Sequence, residues 1–345
     1  MNTKAVQILN QVQAYPATSI AYLLSATFAL VCCGYIISIA SYFVAAGQNS
    51  VVSATHLSED VLTQLGTIRD SRLSEISGIA YSARYPDTYW VHNDSGNSAE
   101  LFLIDRDATV LVTVQLTGAT NRDWEDICQF NHGDNSYICV GDVGDNRGKY
   151  DDYRLYLLKE PEVDVEKLRS NSNRKTVLRI DDFSKIEFKY SDGPKNCEAF
   201  AFDSASRCFL FAEKGFDNKR NSKPGMYQLQ LDSQLKKSSN TKATRFADCK
   251  VLKATAMSIS DDGRRAIISS YAMASVWNRT GERNWATTLN SDKGKLLPMP
   301  VQRQGEAISL DGSGDHAVTT SEHTGQPLWQ IKIDDVINTA KSAGR

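Results

Sequence analysis

The sequence lacks the short motifs that mark the common zinc, nucleotide and serine-nucleophile sites. It has no Cys-x-x-Cys pair and no His-Glu-x-x-His motif, which disfavours a zinc ribbon, a thioredoxin-type centre and a zinc protease. It also has no Gly-x-Ser-x-Gly elbow and no phosphate-binding Gly-x-x-x-x-Gly-Lys-Ser loop. Histidine is scarce, with five residues, whereas Asp and Glu together number 41. Metal or acid–base chemistry in this chain must therefore draw mainly on carboxylates.

A basic excess is also missing. Lys and Arg number 39 against 41 acidic residues, which gives a net charge of −2. A general nucleic-acid-binding protein carries a basic face or stripe. The sequence therefore predicts no nucleic-acid partner, and its hydrophobic content of 41% is that of a folded chain.

Charged residues are absent from residues 18–46, which read TSIAYLLSATFALVCCGYIISIASYFVAA. About 20 apolar residues in a helix span the hydrocarbon core of a bilayer, so this stretch predicts one transmembrane helix. Lys4 precedes it, and no Lys or Arg follows before Arg69, so the positive-inside rule leaves the bulk of the chain outside the cytoplasm. A cleaved signal peptide is the alternative, although its apolar core is usually shorter, roughly 7–15 residues.

These features divide the chain into a short cytoplasmic N-terminus (1–17), a transmembrane helix (18–46), a polar spacer (47–57) and one globular domain (58–345). The predicted location is the inner (cell) membrane, as a single-pass protein with its globular domain on the periplasmic, extracytoplasmic side. The membrane is then one partner, and a small ligand or an envelope protein is the other.

Five cysteines follow the apolar stretch, and four of them form two pairs of equal spacing. Cys128 and Cys139, like Cys197 and Cys208, flank ten residues that include a polar turn, as on neighbouring antiparallel strands. Opposed Cβ atoms in such strands lie about 4.5–5.5 Å apart, close to the geometry of a disulfide. A Cys128–Cys139 disulfide is therefore a candidate bond in an oxidising compartment. The alternative is that these cysteines are buried free thiols.

The globular region has no long helical period and shows many short apolar runs bounded by Gly, Asp, Asn and Ser, which predicts an all-β domain. Five segments share one plan: an acidic or small polar start, a short strand, a polar turn and a second apolar strand. They begin at Glu75, Asp123, Asn196, Ala254 and Gln304. This repetition predicts a β-propeller of four-stranded blades, with five blades counted and a sixth still open. A β-sandwich is the competing architecture.

The offsets between the repeats are uneven, so loops of different length are expected between the blades. The charged stretch within residues 160–184 is expected to be a solvated excursion. A strand at about residues 64–69 is expected to close the last blade.

Several motifs occur in the order found in one known family: WVHNDSG (90–96), DWEDI (123–127), VGDVGDN (140–146), YRLYLLKEP (153–161), YSDGPKNCEAF (190–200), SISDDGRRAIISSY (258–271) and QGEAI (304–308). The series, over about residues 72–333, resembles a family of largely uncharacterised bacterial secreted or envelope propeller proteins. It is more distantly similar to the phytase-like and esterase-like propellers, in which acidic residues on the innermost strands line the channel and often hold calcium. The sequence departs from the family pattern at Asn196 and Ser258, where an acidic residue is usual.

In a propeller the first strand of each blade lines the central channel, so residues from different repeats meet there. The acids that this geometry gathers are the predicted calcium ligands: Asp123, Glu125, Asp142, Asp145, Glu198 and Glu306, with Glu75 beside them. The residues predicted to bind a ligand at the channel mouth are Asn93, Asp94, Asn146 and Glu322. Clustered carboxylates repel one another, and Ca²⁺, which takes six to eight oxygen ligands, relieves that repulsion. The alternative role for each acid, above all for Asp145, is to cap a turn.

Two functions are compatible with such a channel. The first is a binding protein that holds a ligand or a protein partner at an acidic, calcium-holding mouth. The second is a calcium-dependent hydrolase of a phosphoester, an ester or a lactone, with Glu125 or His92 as the candidate that activates water. Cleavage of a glycoside by two carboxylates is a variant of the second function.

Overall fold

The computed structural model describes residues 61–170, 176–215, 223–232, 241–271, 273–281, 283–291 and 293–334. The predicted membrane helix (18–46) and spacer (47–57) lie outside these residues, and both stay predictions. Within the described ranges, no helix has the length and apolarity needed to cross a bilayer.

The described part of the chain consists mainly of β-strands, with two short helices. The first ten strands are β1 (Leu62–Thr67), β2 (Ile76–Tyr81), β3 (Thr88–Asn93), β4 (Glu100–Asp105), β5 (Val110–Leu116), β6 (Trp124–His132), β7 (Asn135–Asp142), β8 (Tyr153–Lys159), β9 (Val177–Ile180) and β10 (Ser184–Tyr190). The others are β11 (Cys197–Asp203), β12 (Cys208–Glu213), β13 (Gly225–Gln230), β14 (Thr241–Asp248), β15 (Ala256–Ile259), β16 (Arg265–Ser269), β17 (Met273–Asn278), β18 (Lys295–Pro298), β19 (Gly305–Leu310), β20 (His316–Ser321) and β21 (Pro327–Lys332). The helices are α1 (Val165–Ser170) and α2 (Trp285–Ser291).

The strands form five four-stranded antiparallel units. The first unit runs β2-β3-β4-β5, the second β6-β7-β8-β10, the third β11-β12-β13-β14 and the fourth β15-β16-β17-β18. The fifth runs β19-β20-β21-β1, so the first described strand of the chain completes the last unit. The predicted closing strand is confirmed, and it lies at Leu62–Thr67.

The first strands of the five units stand side by side around one axis. β2 contacts β6 and β19, β11 contacts β6 and β15, and β15 contacts β19. This closed ring makes the fold propeller-like, and a two-sheet sandwich does not have it. The five units correspond to the five sequence repeats, and the part of the chain described here contains no sixth unit.

Two parallel pairings depart from five separate blades. β10 pairs with β14, which joins the second and third units into one eight-stranded sheet, and β9 pairs with β5 as a fifth strand of the first unit. The prediction of a solvated excursion at residues 160–184 is confirmed only in part, because the charged side chains from Glu162 to Arg169 are exposed, whereas β9 joins the first unit. Val165 and Leu178 pack against the apolar cluster between the first and second units, because this charged stretch also carries apolar residues on one side.

The aromatic core between the second and third units fixes how those units meet. Phe130, Phe200, Phe202, Phe209 and Phe211 are buried there together, and the ring centroids of Phe130 and Phe202 lie 3.9 Å apart. Burying a side chain of this size contributes about 1.5–3 kcal/mol. The packing therefore holds the inner strands β6 and β11, which carry candidate site residues, in one relative position.

Hydrogen bonds from side chains also link neighbouring inner strands. Ser258 Oγ accepts the N–H of Leu310 at 3.0 Å, which ties β15 to β19. Ser309 Oγ accepts the N–H of Tyr81 at 2.9 Å, which ties β19 to β2. Ser258 therefore has a structural role in the ring.

Asp126 links three inner strands at once. Its carboxylate is fully buried and accepts the N–H groups of Ile127 at 2.9 Å, of Phe200 at 3.0 Å and of Met257 at 3.0 Å. These donors belong to β6, β11 and β15. Burial raises the pKa of the Asp126 carboxyl, and the three N–H donors act against that shift. The sequence analysis missed this role, although Asp126 lies within the DWEDI motif.

The cysteine pairs behave differently from one another. Cys128 and Cys139 are register partners on β6 and β7, as their spacing predicts. Both thiols are free in the structure, and a disulfide between them stays a prediction. Cys197 and Cys208 are not partners, because the turn of this hairpin lies directly before Cys208. The register therefore sets Cys197 opposite Glu213 and Cys208 opposite Asp203.

Candidate metal site at the axial mouth

One end of the ring, here called the axial mouth, is formed by the starts of the inner strands and by the loops that follow the second strands. Its ionisable residues are Glu75, Asp94, Asp123, Glu125, Glu198, Lys214, Tyr271, Glu306 and Glu322. Glu125 interacts electrostatically with Glu198, and Glu198 with Glu306. The structure thus brings together at one axis three acids that are far apart in the sequence.

A β-bulge near the start of the inner strand directs side chains into the channel. The strand register shifts at one residue in each of four units: Ser77, Glu125, Glu198 and Glu306. A bulge leaves the extra residue outside the ladder and re-aims its side chain. The sequence analysis expected Glu75 beside the calcium ligands at the axis, whereas the bulged residue of the first unit is Ser77. No such shift occurs in β15, and Thr255 directly precedes that strand.

Asp94, Asp123 and Glu125 form a group of three carboxylates that could hold a metal ion. One oxygen of each lies within 4.8 Å of the others. Asp123 and Glu125 are two residues apart and share one side of the chain, whereas Trp124 between them is buried in the core. Glu125 is 4% exposed, and the other two are partly exposed, so an ion here would touch both protein and solvent.

Burial and mutual repulsion raise the pKa values of these carboxyls. Burial first, then the charges of Asp94 and Asp142, raise the pKa of Asp123 to about 6. Burial, followed by the charges of Glu198 and Asp94, raises the pKa of Glu125 well above its ordinary value. A bound cation lowers such pKa values by favouring the ionised forms, so the electrostatics of this group favour an ion.

Lys214 is the positive charge that the chain itself supplies to the mouth. Its ammonium forms an ion pair with Glu198 Oε2 and lies 5.0 Å from the centroid of the Tyr271 ring. Burial raises the pKa of Glu198 to about 7, while the Lys214 charge opposes the shift. The sequence analysis placed neither Lys214 nor Tyr271 at the mouth. Both residues follow the end of a second strand, which is the signal that could have found them.

Glu306 and Glu322 form a second close pair of carboxyls. Burial, then a hydrogen bond and repulsion from Glu306, raise the pKa of Glu322 to about 8. Gln304 Nε2 donates to Glu306 Oε1 at 3.0 Å and fixes that side chain. A proton shared between the two carboxyls relieves their repulsion near neutral pH.

Asp142, a predicted calcium ligand, instead makes contacts with backbone and arginine groups inside the fold. It is fully buried, and its Oδ1 accepts the backbone N–H of Asp123 at 2.8 Å. Arg122 and Arg154 lie 3.6 Å and 3.8 Å from its carboxylate. Asp142 therefore positions Asp123 and is not a member of the three-carboxylate group.

Asp145 and Asn146 shape the loop after β7. The Asp145 carboxylate accepts the N–H groups of Lys149 at 2.7 Å and of Tyr150 at 2.9 Å, so Asp145 caps a turn. Asn196 Nδ2 donates to Asn146 Oδ1 at 3.0 Å, and Asn196 Oδ1 accepts the N–H of Asp145 at 2.8 Å. A carboxylate could not make the first of these bonds, which gives a physical reason for asparagine at position 196.

Asn93 and His92 also have structural contacts. Asn93 Nδ2 donates to the Arg72 carbonyl at 2.6 Å, and its Oδ1 accepts the N–H of Glu75 at 3.2 Å. His92 is fully buried, its ring meets that of Trp124 edge-on, and burial lowers its pKa to about 4. The proposed role of His92 as a base at the mouth is therefore wrong, because β3 turns its side chain into the protein interior.

Gly144, in the GDVGDN motif, packs directly against the candidate ligands. A Cβ atom here would overlap Glu125 Oε1 and lie 2.7 Å from Asp123 Oδ2. Gly144→Ala is expected to displace both carboxylates and, if the group holds a divalent cation, to weaken its binding roughly tenfold or more, as measured by calorimetric titration with Ca²⁺. Gly312→Ala is the control, since its Cβ would lie 3.2 Å from the end of the Asp261 side chain, away from the mouth. Unchanged calcium affinity in Gly144→Ala would contradict the assigned ligands.

The raised pKa values predict how the stability of the metal-free protein depends on pH. The pKa of Glu322 rises from 4.5 to about 8 on folding, so the folded state binds this proton more tightly. That contribution to stability is complete below the unfolded pKa and is lost as the pH rises through the folded one. The raised pKa values of Glu198, about 7, and Asp123, about 6, likewise make the folded state less stable as the pH rises.

We therefore expect the free energy of unfolding, measured with urea in a chelator, to fall as the pH rises from about 5 to about 8. Added Ca²⁺ should reduce that fall, because the ionised carboxylates then have a counter-charge. A free energy of unfolding that rises over this range in the chelator would contradict the assignment of the raised pKa values.

Comparisons with known proteins assign no family to this chain. No family model matches the chain, and no curated protein matches it. Among solved structures, a gluconolactonase from Xanthomonas campestris is similar to it, with 13% sequence identity and a TM-score of 0.39. The alignment covers 78% of this chain and 91% of that protein. A likeness of this size carries no functional argument, so the function has to be inferred from the residues of the axial mouth.

Proposed function

We propose that the chain is a membrane-anchored, extracytoplasmic propeller-like protein that binds a divalent cation, and with it a ligand, at the axial mouth. The single observation that carries the proposal is the group formed by Asp94, Asp123 and Glu125, with ligand oxygens within 4.8 Å of one another. None of the three forms an ion pair with another described residue, and the Lys214 charge that acts on Asp94 and Glu125 is itself paired with Glu198.

Calcium is the cation that we propose. The donors are carboxylate oxygens, which suit hard cations such as Ca²⁺ and Mg²⁺. Mg²⁺ demands near-ideal octahedral geometry, whereas Ca²⁺ accepts six to eight oxygens in a flexible arrangement. Three carboxylates from two segments, the end of β3 and the start of β6, with one buried and two partly exposed, fit the more tolerant ion better.

The ligand would reach the cation from solvent. Asp94 and Asp123 are partly exposed, so a bound ion would keep coordination positions for water or for oxygen atoms of a ligand. Seven carboxyl groups and one ammonium surround this place, which disfavours strongly anionic ligands. A neutral, oxygen-rich molecule or a positively charged protein segment suits the mouth best.

Calorimetric titration of the full chain in a nonionic detergent tests the proposal. We expect saturable binding of Ca²⁺, weaker binding of Mg²⁺, and a thermal midpoint that rises with Ca²⁺ because the ion binds the folded state. A thermal midpoint that does not respond to Ca²⁺ or to a chelator would rule out the cation site.

A second candidate function, a calcium-dependent hydrolase, is favoured by Glu198. Its pKa of about 7 suits a group that takes up a proton from water at neutral pH, and its charge acts on the Glu125 carboxyl. A bound divalent cation would supply polarisation of the group under attack. An assay of the full chain against ester, lactone and phosphoester substrates, with and without chelator, distinguishes this function. Turnover that the chelator abolishes would favour the hydrolase over the binding protein.

A further inference from the structure

Lys214 lies among the carboxyl groups of the axial mouth, although lysine side chains are seldom buried. It is 9% exposed, and its backbone N–H donates to the Asn196 carbonyl at 3.0 Å. Its ammonium pairs with Glu198 Oε2 and lies 5.0 Å from the centroid of the Tyr271 ring. Backbone and side chain are thus both held, so the ammonium stays inside the mouth instead of reaching into solvent.

We propose that Lys214 is an internal cation, which takes the place of a second divalent ion and limits the axial mouth to one. This role rests on the proposed function, in which Asp94, Asp123 and Glu125 hold the one ion. It adds how many ions the mouth binds and which residue sets that number.

The sequence repeats give the first support for this role. The residue directly after the second strand of a unit lies at the mouth, and it is Asp94 in the first unit and Glu322 in the fifth. In the third unit the same place belongs to Lys214. Because the ring repeats this place around the axis, a fixed positive charge stands where two other units have a carboxylate. The chain itself thus supplies one of the cations that clustered acids require.

The partner of Lys214, Glu198, stands between two groups of carboxyls. Its charge acts on Glu125, which belongs to the three-carboxylate group. On the other side the charge of Glu306 acts on Glu198, and Glu306 forms a close pair with Glu322. The Lys214 charge acts on Glu125 as well as on Glu198. The ammonium therefore lies where the electrostatic fields of both groups overlap.

An ammonium and a calcium ion suit the same place but exclude each other. The ammonium is a compact point charge with three donors, and a carboxylate oxygen accepts from it at about 2.7–2.9 Å. Ca²⁺ binds such oxygens at about 2.3–2.6 Å. Two cations side by side repel strongly in a site of low dielectric constant. With Lys214 in place, Glu198 already has its counter-charge and attracts no second ion.

Removal of the Lys214 charge should open this place to a metal ion. Glu198 is 3% exposed, so in Lys214→Met it becomes a buried carboxylate without a partner. Such a group takes up a proton or binds another cation. Glu306 and Glu322 add further carboxylate oxygens on the same side of the mouth, and together the three suit a hard divalent cation.

Calorimetric titration of Ca²⁺ into the full chain in nonionic detergent counts the bound ions. We expect one ion per chain for the wild type and two for Lys214→Met. Lys189→Met is the control, because it removes the same charge from an exposed site on β10 and should bind one ion. In a chelator Lys214→Met should have a lower thermal midpoint than the wild type, because Glu198 has lost its partner. Added Ca²⁺ should raise that midpoint by more than it raises that of the wild type.

The outcomes separate this role from the cation site itself. A wild type that binds no Ca²⁺ would refute the proposed function, and the role of Lys214 with it. The same number of ions in the wild type and in Lys214→Met, whether one or two, would overturn only the role of Lys214.

Glu198→Gln tests the role without removing the lysine, and it decides the matter should Lys214→Met fail to fold. The change leaves the Lys214 ammonium unpaired beside the three-carboxylate group, so the affinity for Ca²⁺ should fall roughly tenfold or more. Unchanged affinity in Glu198→Gln would show that the Lys214 charge does not act on cation binding, and would overturn the proposal.

Discussion

Asp126→Ala is expected to lower the free energy of unfolding by about 3–5 kcal/mol, the largest effect of any single change at the axis. The substitution removes the acceptor for three buried N–H groups, those of Ile127, Phe200 and Met257. Each buried donor left without a partner costs about 1–3 kcal/mol. Urea denaturation of the full chain in detergent measures the change.

The matched control for this prediction is Asp134→Ala, which removes an exposed carboxylate in the turn between β6 and β7. A surface change of this kind is expected to stay within about 0.5 kcal/mol of the wild type. If Asp126→Ala were as stable as Asp134→Ala, the inner strands would not depend on this carboxylate. The DWEDI motif would then need an explanation other than ring closure.

Asp123→Asn is expected to weaken calcium binding by roughly tenfold or more, since it replaces a charged ligand of the three-carboxylate group by a neutral amide of the same shape. In a chelator the same variant should be at least as stable as the wild type. The reason is that Asp123 has a pKa raised to about 6, so its ionised form is unfavourable in the metal-free mouth. Calorimetric titration and thermal midpoints with and without Ca²⁺ measure both effects.

Asp145→Asn provides the control, because the sequence analysis named Asp145 as a ligand and the structure gives it the role of a turn cap. We expect this variant to lose some stability in both conditions and to keep its calcium affinity. The opposite pattern, with weaker calcium binding in Asp145→Asn and normal binding in Asp123→Asn, would restore the ligand set drawn from the sequence.

The candidate site was predictable in outline because an acidic residue recurs at one position of the sequence repeats. Glu125, Glu198 and Glu306 occupy the same place in three repeats, and the ring brings equal places together at the axis. Asp94 was assigned only to the mouth, and its membership of the three-carboxylate group was not foreseen. Its distance from Asp123 depends on how closely the first and second units pack, and no local pattern in the sequence encodes that distance.

The misassigned residues share one physical cause. His92, Asp142 and Asp145 lie at or just after the ends of strands that lead to the mouth. Their side chains, however, make contacts inside the fold. A polar side chain at the end of a strand either points into the channel, where it can bind a ligand, or accepts hydrogen bonds from backbone N–H groups. Which of the two occurs depends on the side of the strand to which the side chain points. The β-bulges that make this choice for Glu125 and Glu198 leave no signature in the sequence that we could identify.

The sequence by itself determined the all-β class, the five repeats and the closing strand, because alternation along strands and turn residues act over a few positions of the chain. Only the tertiary structure decided which carboxylates meet, how Lys214 neutralises Glu198 and how Asp126 joins three strands. These contacts join residues up to 131 positions apart, and their geometry follows from the angles between packed units. The packing of whole sheets therefore determined which side chains meet at the axis, while the alternation of apolar and polar residues along the chain determined the strands of each sheet.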